Sequence, residues 1–214
     1  MLPDFQQQTY RYLTGRILDI GYVSKPLALT GDIVGVDIQQ APCPPNYREV
    51  RTANLNTEPI PYPDGSFESV FAGETIEHLA NPMRFLAECN RVLVPHGVCV
   101  LTTPNPYYWI DIIQNAFPSR FPGAENDQHF NSPTRIAMRT CARRASFRVE
   151  REEGTFIHIP IIRKKVTLRR WPLLTSQTVY VLRKTDEFKH SIMVSRPHQR
   201  GDLPKEFELD ARLF

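Results

Sequence analysis

Several short stretches carry side chains suited to binding polar ligands or moving protons. Asp37 closes the β-branched run DIVGVDI. A carboxylate there can take hydrogen bonds from two hydroxyls at once, because each of its oxygens accepts independently. Gly73 ends the run SFESVFAG, where a missing Cβ lets a ligand approach the backbone, and Glu74 stands beside it. Glu77 and His78, in ETIEHL, and His129, beside Phe130, are the candidates for catalytic proton transfer. Neutral imidazole is the side chain best poised to accept a proton near neutral pH. His78 could equally brace its own loop.

Other chemistries find less support. Cys43, Cys89, Cys99 and Cys141 are scattered with no C-x-x-C pair, so metal-ligand spacing is missing and buried, reduced thiols are expected. The net charge of +3 does not by itself imply nucleic acid. Arg135, Arg139 and Arg143 form a helical stripe and RKKVTLRR a second basic run. Solvated faces explain both, with an acidic acceptor or nucleic acid as the weaker readings.

A scaffold has to bring these residues together. RILDI, DIVGVDI and YREVR read as short strands, and SFESVFAG as a fourth after the turn PDG. Asn81 and Pro82 start a helix whose apolar residues Phe85, Leu86, Cys89, Val92 and Leu93 share one face. VPHG should end it, with GVCVLTT as a central strand. Residues 104–128 are rich in proline and aromatics and are predicted to be a long functional loop, with Tyr107, Tyr108 and Trp109 as an acceptor wall or lid packing. Ser132 and Pro133 should start a helix with Ala137, Cys141 and Ala145 on one face, followed by the strands SFRVEREEGTFI and SQTVYVLRK. Strands and crossovers in this order predict a doubly wound α/β sheet of seven strands.

The ordered series ILDIG, GVDI, PYPDGSFESVFAGETIEHLANPMRFLAECNRVLVPHGVCVLTTPN and HFNSPTRIAMRTCARRASF resembles the class I S-adenosylmethionine-dependent methyltransferases. The likeness is closest to those with E-H-L after the fourth strand. It implies a Rossmann-like, mostly parallel seven-stranded sheet with an antiparallel last strand, and S-adenosylmethionine across the strand ends where the order reverses. It also implies that Asp37 takes the ribose hydroxyls, with Ile38 next to it. Asn54 and Leu55 lie by the adenine, unless Asn54 serves only its turn. Asp19, Gly21, Gly73 and Glu74 line the remainder.

The first loop departs from the family pattern. After Gly21 the chain reads YVSKP, so Val23 and Lys25 occupy two positions where the family has glycine, and only a turn or so of helix fits before Gly31. In one reading Lys25 faces the methionine carboxylate. In the other, Tyr22 fills the methionine site and the chain is an inactive scaffold or interaction protein. A nicotinamide cofactor would need G-x-G-x-x-G at this turn, which is missing.

The expectation is therefore a methyltransferase domain over residues 1–184 and an extension over 185–214. The expected acceptor is a small molecule or one of sugar or lipid type, methylated at oxygen or nitrogen. No segment reads as a membrane span, and a cytoplasmic location is expected.

Overall fold

The computed structural model describes residues 5–120, 132–159 and 164–185. His129 and nearly all of the expected extension lie outside these residues. The chain starts with helix α1 (Phe5–Tyr10) and continues through strands β1 (Ile17–Ile20), β2 (Ile33–Asp37), β3 (Glu49–Thr52) and β4 (Phe67–Gly73). A single 3₁₀ turn, Ile76–His78, leads into helix α2 (Pro82–Val92) and strand β5 (Leu93–Pro104). Helices α3 (Trp109–Ala116) and α4 (Arg135–Arg144) follow, then strands β6 (Phe147–Gly154), β7 (Phe156–Ile159), β8 (Lys164–Thr167) and β9 (Gln177–Lys184).

The main sheet has seven strands in the order β3-β2-β1-β4-β5-β9-β6. The first five strands run parallel, while β9 is antiparallel to both of its neighbours. Strands β1 and β4 are both central and, apart from the tip of β4 and Glu68, buried, which is why they read as near-continuous apolar runs. The order reverses between β1 and β4, leaving a crevice at their carboxyl ends.

One face of the sheet is covered by α2 and α4, which bury Phe85, Leu86, Cys89, Met138 and Ala142. The Asn81 side chain caps α2 by accepting from the Arg84 N–H, and Thr134 caps α4 by accepting from Ala137. On α4 Met138, Ala142 and Ala145 are buried and Cys141 half-buried, while Ala137 is exposed, so of the expected face Cys141 and Ala145 meet the core and Ala137 does not.

The opposite face has no crossover helix between β1 and β2. The expected turn of helix after Gly21 is absent, and residues 22–32 are turn and irregular backbone. Tyr22, Leu27 and Tyr47 fill the space a helix would occupy, packing with Leu13 and Ile33. Gly35 makes this possible, since a Cβ there would lie 2.6 Å from the Tyr22 ring.

Three further expectations need correction. VPHG is not a turn before β5 but an irregular stretch within it, with His96 at φ 62° and a register shift against β4. The segment after β5 contains a helix, α3. The predicted strand over 146–157 is two strands, because β7 leaves the main sheet to pair with β8 in a separate hairpin.

Candidate functional site

The crevice between the tips of β1 and β4 opens into a cavity of ≈ 510 Å³, within the size range of small-molecule and cofactor sites. Its walls come from four strand ends. Ile20 and Gly21 follow β1, Asp37 and Ile38 close β2, Asn54 and Leu55 follow β3, and Gly73 and Glu74 end β4. Seven of the expected cofactor residues are thus in one cavity wall: Gly21, Asp37, Ile38, Asn54, Leu55, Gly73 and Glu74. A comparable cleft of ≈ 740 Å³ between α2 and α4 is lined by residues engaged with one another, such as Arg91 with Glu88 and Asp64.

Asp37 is held from two sides. Its Oδ2 accepts from the Val23 N–H at 3.1 Å and its Oδ1 from the Gln39 N–H at 2.9 Å. A carboxylate has about four acceptor sites, so capacity remains for a ligand. Ile38 is 59% exposed, leaving an apolar surface at the cavity rim. Asn54 lines the cavity and also makes turn contacts: its Oδ1 accepts from Asn56 N at 3.1 Å. Both readings of that residue therefore have a structural counterpart.

Gly21 has φ +79°, a region that L side chains rarely adopt, and a Cβ there would meet Thr75 Oγ1 at 2.9 Å. The Thr75 hydroxyl lies 3.1 Å from Gly73 O and 3.4 Å from Ile20 O, linking the tips of β4 and β1.

Asp19 and Lys25 are not in the cavity wall. Asp19 projects to the opposite face of the sheet, where it is 1% exposed and accepts from Tyr47 Oη and, at 3.2 Å, from Leu27 N. Its work is to anchor the β1–β2 connection from beneath. Burial outweighs these two hydrogen bonds and pushes its carboxyl up to about 7. Lys25 is exposed on the loop. Tyr22 does not occupy the cavity. Its ring lies under β2 beside Tyr47, at 5.8 Å between centroids, and is 3% exposed.

Glu74 and Glu77 form a pair of carboxyls at the inner end of the crevice. Glu74 has φ 50°, and its N–H donates to Thr102 O at 3.0 Å and to Thr102 Oγ1 at 3.1 Å. Burial raises its carboxyl. Glu77 is fully buried, and burial together with the charge of Glu74 raises it as well. Glu74 Oε1 and both Glu77 oxygens have no hydrogen-bond partner among the described residues. His78 lines the cavity; Glu77 lies behind the wall.

The methyltransferase-domain family matches residues 18–101, the part of the chain that builds this cavity. The sheet built around that match, with β9 antiparallel beside β5, has the Rossmann-like fold of S-adenosylmethionine-dependent methyltransferases.

A Thermotoga maritima SAM-dependent methyltransferase structure superposes with TM-score 0.60 at 16% identity, covering 85% of this chain and 87% of that one. Among curated proteins, a Mycolicibacterium smegmatis protein described as a probable S-adenosylmethionine-dependent methyltransferase is 36% identical over 76 residues. That alignment covers 34% of this chain and 30% of the relative. The ubiquinone biosynthesis O-methyltransferase of Maricaulis maris is 30% identical over 110 residues, with 42% and 41% covered. The chain thus aligns with less than half of either curated relative.

The cavity wall also contains residues that the sequence did not single out: Ser24, Gln39, Ala53, Asn56 and Thr75. The signal for Thr75 was its place between the strand-ending Gly73 and the E-H-L motif. Ser24 carried no signal, because the loop around it follows no family pattern. Two of the three arginines of the α4 stripe share one carboxylate: Arg135 Nε and Arg139 both bond to Glu152, at 3.0 and 2.8 Å.

Proposed function

We propose that the chain transfers a methyl group from S-adenosylmethionine to an oxygen or nitrogen of a small acceptor. The observation that carries this reading is that Asp37, Asn54 and Gly73, from separate strand ends, meet in one cavity where the sheet order reverses. The residues fit the cofactor. Asp37 retains capacity for ribose hydroxyls, Ile38 and Leu55 offer apolar flanks for a purine, and at Gly21 a Cβ would already crowd Thr75. In this reading Ser24, Glu74 and Thr75 hold the methionine arm.

When bound, the cofactor supplies a methyl group already activated on a sulfonium. The chain's own task is alignment and exclusion of water, plus a base where the acceptor carries a proton. His78, in the cavity wall, is proposed as that base. Burial of Glu74 and Glu77, with the charge of Glu74 acting on Glu77, favours their protonated forms and so limits negative charge in the crevice. The likeness to ubiquinone O-methyltransferases supports oxygen as the acceptor atom. Tyr107 and Trp109 are exposed beyond β5 and can meet an acceptor, whereas Tyr108 is buried and accepts from the His158 N–H at 3.0 Å.

Titration calorimetry of the full chain with S-adenosylmethionine and with its demethylated product tests the reading. Saturable binding of both that is lost in Asp37→Ala is expected; absence of heat with either compound would overturn it.

A further inference from the structure

Helix α3 presents its apolar side to water. Trp109, Ile112, Ile113 and Ala116 recur at helical spacing and share one face, yet Ile112 is 50% and Ile113 40% exposed, and no residue of the helix is buried. Asp111 and Gln114, from its polar side, are half-buried instead. Phe117 extends the apolar strip at 53% exposure, with the Arg120 guanidinium 5.7 Å from its ring centroid.

A second exposed apolar element adjoins it. The turn at residues 171–174 carries Trp171 at 63% exposure together with Leu173 and Leu174. Asn105 ties the two together. Its Nδ2 donates to the carbonyls of Pro172, Leu173 and Thr175, and its Oδ1 accepts from the Tyr107 N–H at the approach to α3. Exposed cations flank both elements: Arg120 beyond α3, Arg169 and Arg170 before Trp171, and Lys165 opposite His158, whose N–H bonds Tyr108.

We propose that α3 and the Trp171 turn dock on the interface of an anionic lipid bilayer. Aromatic and branched apolar side chains rimmed by Lys and Arg are the chemistry of interfacial helices: the apolar part enters the headgroup boundary while the cations meet anionic lipid. The two tryptophans of the chain stand one on each of these elements, Trp109 on α3 and Trp171 on the turn, matching the preference of indole for that boundary. A second copy of the chain is the weaker occupant. A helix of eight residues is about 12 Å long, a small footprint beside the roughly 800 Å² per partner of a stable interface. The patch follows the end of β5, whose Thr102 bonds Glu74 in the cavity wall. Docking does not depend on methyl transfer; only the corollary that the acceptor is drawn from the bilayer rests on the proposed function.

The test is co-sedimentation of the full chain with phosphatidylcholine vesicles, with and without phosphatidylglycerol, alongside tryptophan fluorescence. Expected are partition onto the anionic vesicles, a blue shift of the emission, and weakening by salt. Ile112→Ser with Ile113→Ser should lower partition at least about tenfold, and Arg169→Ser with Arg170→Ser should flatten the salt dependence. Neither pair is buried, so an unchanged thermal melt and unchanged calorimetry with S-adenosylmethionine are expected. No partition of the unaltered chain at low salt, equal partition of the isoleucine variant, or a concentration-dependent dimer that this variant abolishes would each overturn the proposal. Calorimetry without heat alongside intact vesicle binding would remove the methyltransferase reading and leave the docking surface standing.

Discussion

The Asp37 carboxylate accepts the backbone N–H of Val23 at 3.1 Å, so the acid that closes β2 also latches the loop that follows β1. A residue proposed to bind a ligand is thereby part of the wall that shapes its site. Asp37→Ala removes both functions, and Asp37→Asn removes the charge and one of the two backbone contacts, since only the amide oxygen still accepts an N–H. We expect the alanine variant to lose S-adenosylmethionine affinity by at least about a hundredfold and the asparagine variant by about tenfold, each charge-assisted bond being stronger than a neutral one. Calorimetry on both variants separates the roles; equal losses would show that the charge is the whole effect.

Gly21 is the one glycine of the β1–β2 connection that both faces the cavity and has positive φ, at +79°. Gly21→Ala should cost about 1–3 kcal/mol of stability through backbone strain and weaken cofactor binding. Adding Thr75→Ala removes the 2.9 Å contact but not the strain, so urea denaturation should show only partial recovery in the double variant.

Tyr22 belongs to the core beneath β2. Tyr22→Ala should destabilise the fold by about 3–5 kcal/mol, as large-to-small core changes do. Tyr22→Phe should be close to neutral, because among the described residues the hydroxyl reaches Ala41 O, at a long 3.4 Å. Neither change should tighten S-adenosylmethionine binding. A gain in affinity for Tyr22→Ala would mean that the ring obstructs the methionine site after all.

Burial pushes the Asp19 carboxyl up to about 7 in the folded chain, well above the ordinary aspartate range. A raised folded value means that the folded state binds the extra proton. Stability is then fully present below the unfolded value and falls as pH rises towards about 7. The size of this contribution is at most about 4 kcal/mol. Glu74 and Glu77 act in the same direction. Asp19→Asn should therefore reduce, without abolishing, the decline in melting temperature between about pH 4 and pH 7; an unaltered decline would reassign it to the glutamates.

Glu77→Gln leaves a side chain of the same shape while removing one of two like charges that would otherwise form together. The variant should fold, be less destabilised than the parent above neutral pH, and lower the pH at which Glu74 titrates. A pH series of melting curves checks the first point. Once an acceptor is known, a shifted pH–rate profile checks the second. An unchanged profile would make the pair structural.

Much of the site could be read before any coordinates. Asp37, Gly73 and the E-H-L segment sit at strand ends that are recognisable from β-branched runs and turn residues, and strand ends are where open α/β sheets keep their ligands. The α2 cap could be read for the same reason: Asn81 and Pro82 act within one turn of the helix they start. Patterns of this kind are local, so a few consecutive residues contain the whole physical cause.

The fate of YVSKP was decided elsewhere in the molecule. Whether Tyr22 fills the cavity or the core depends on the hollow above Gly35, a residue on another strand, and nothing in the loop itself reports that hollow. Asp19 looked like a ligand because of its motif, yet the pleat turns it to the opposite face, where Tyr47 and Leu27 engage it. The outward-facing apolar side of α3 belongs to the same class. Its periodicity is visible in the chain, but which side faces water is set by how β5 and the turn at 171–174 hold its start. Spacing along the chain defines which residues share a face; only packing between distant segments defines what that face meets.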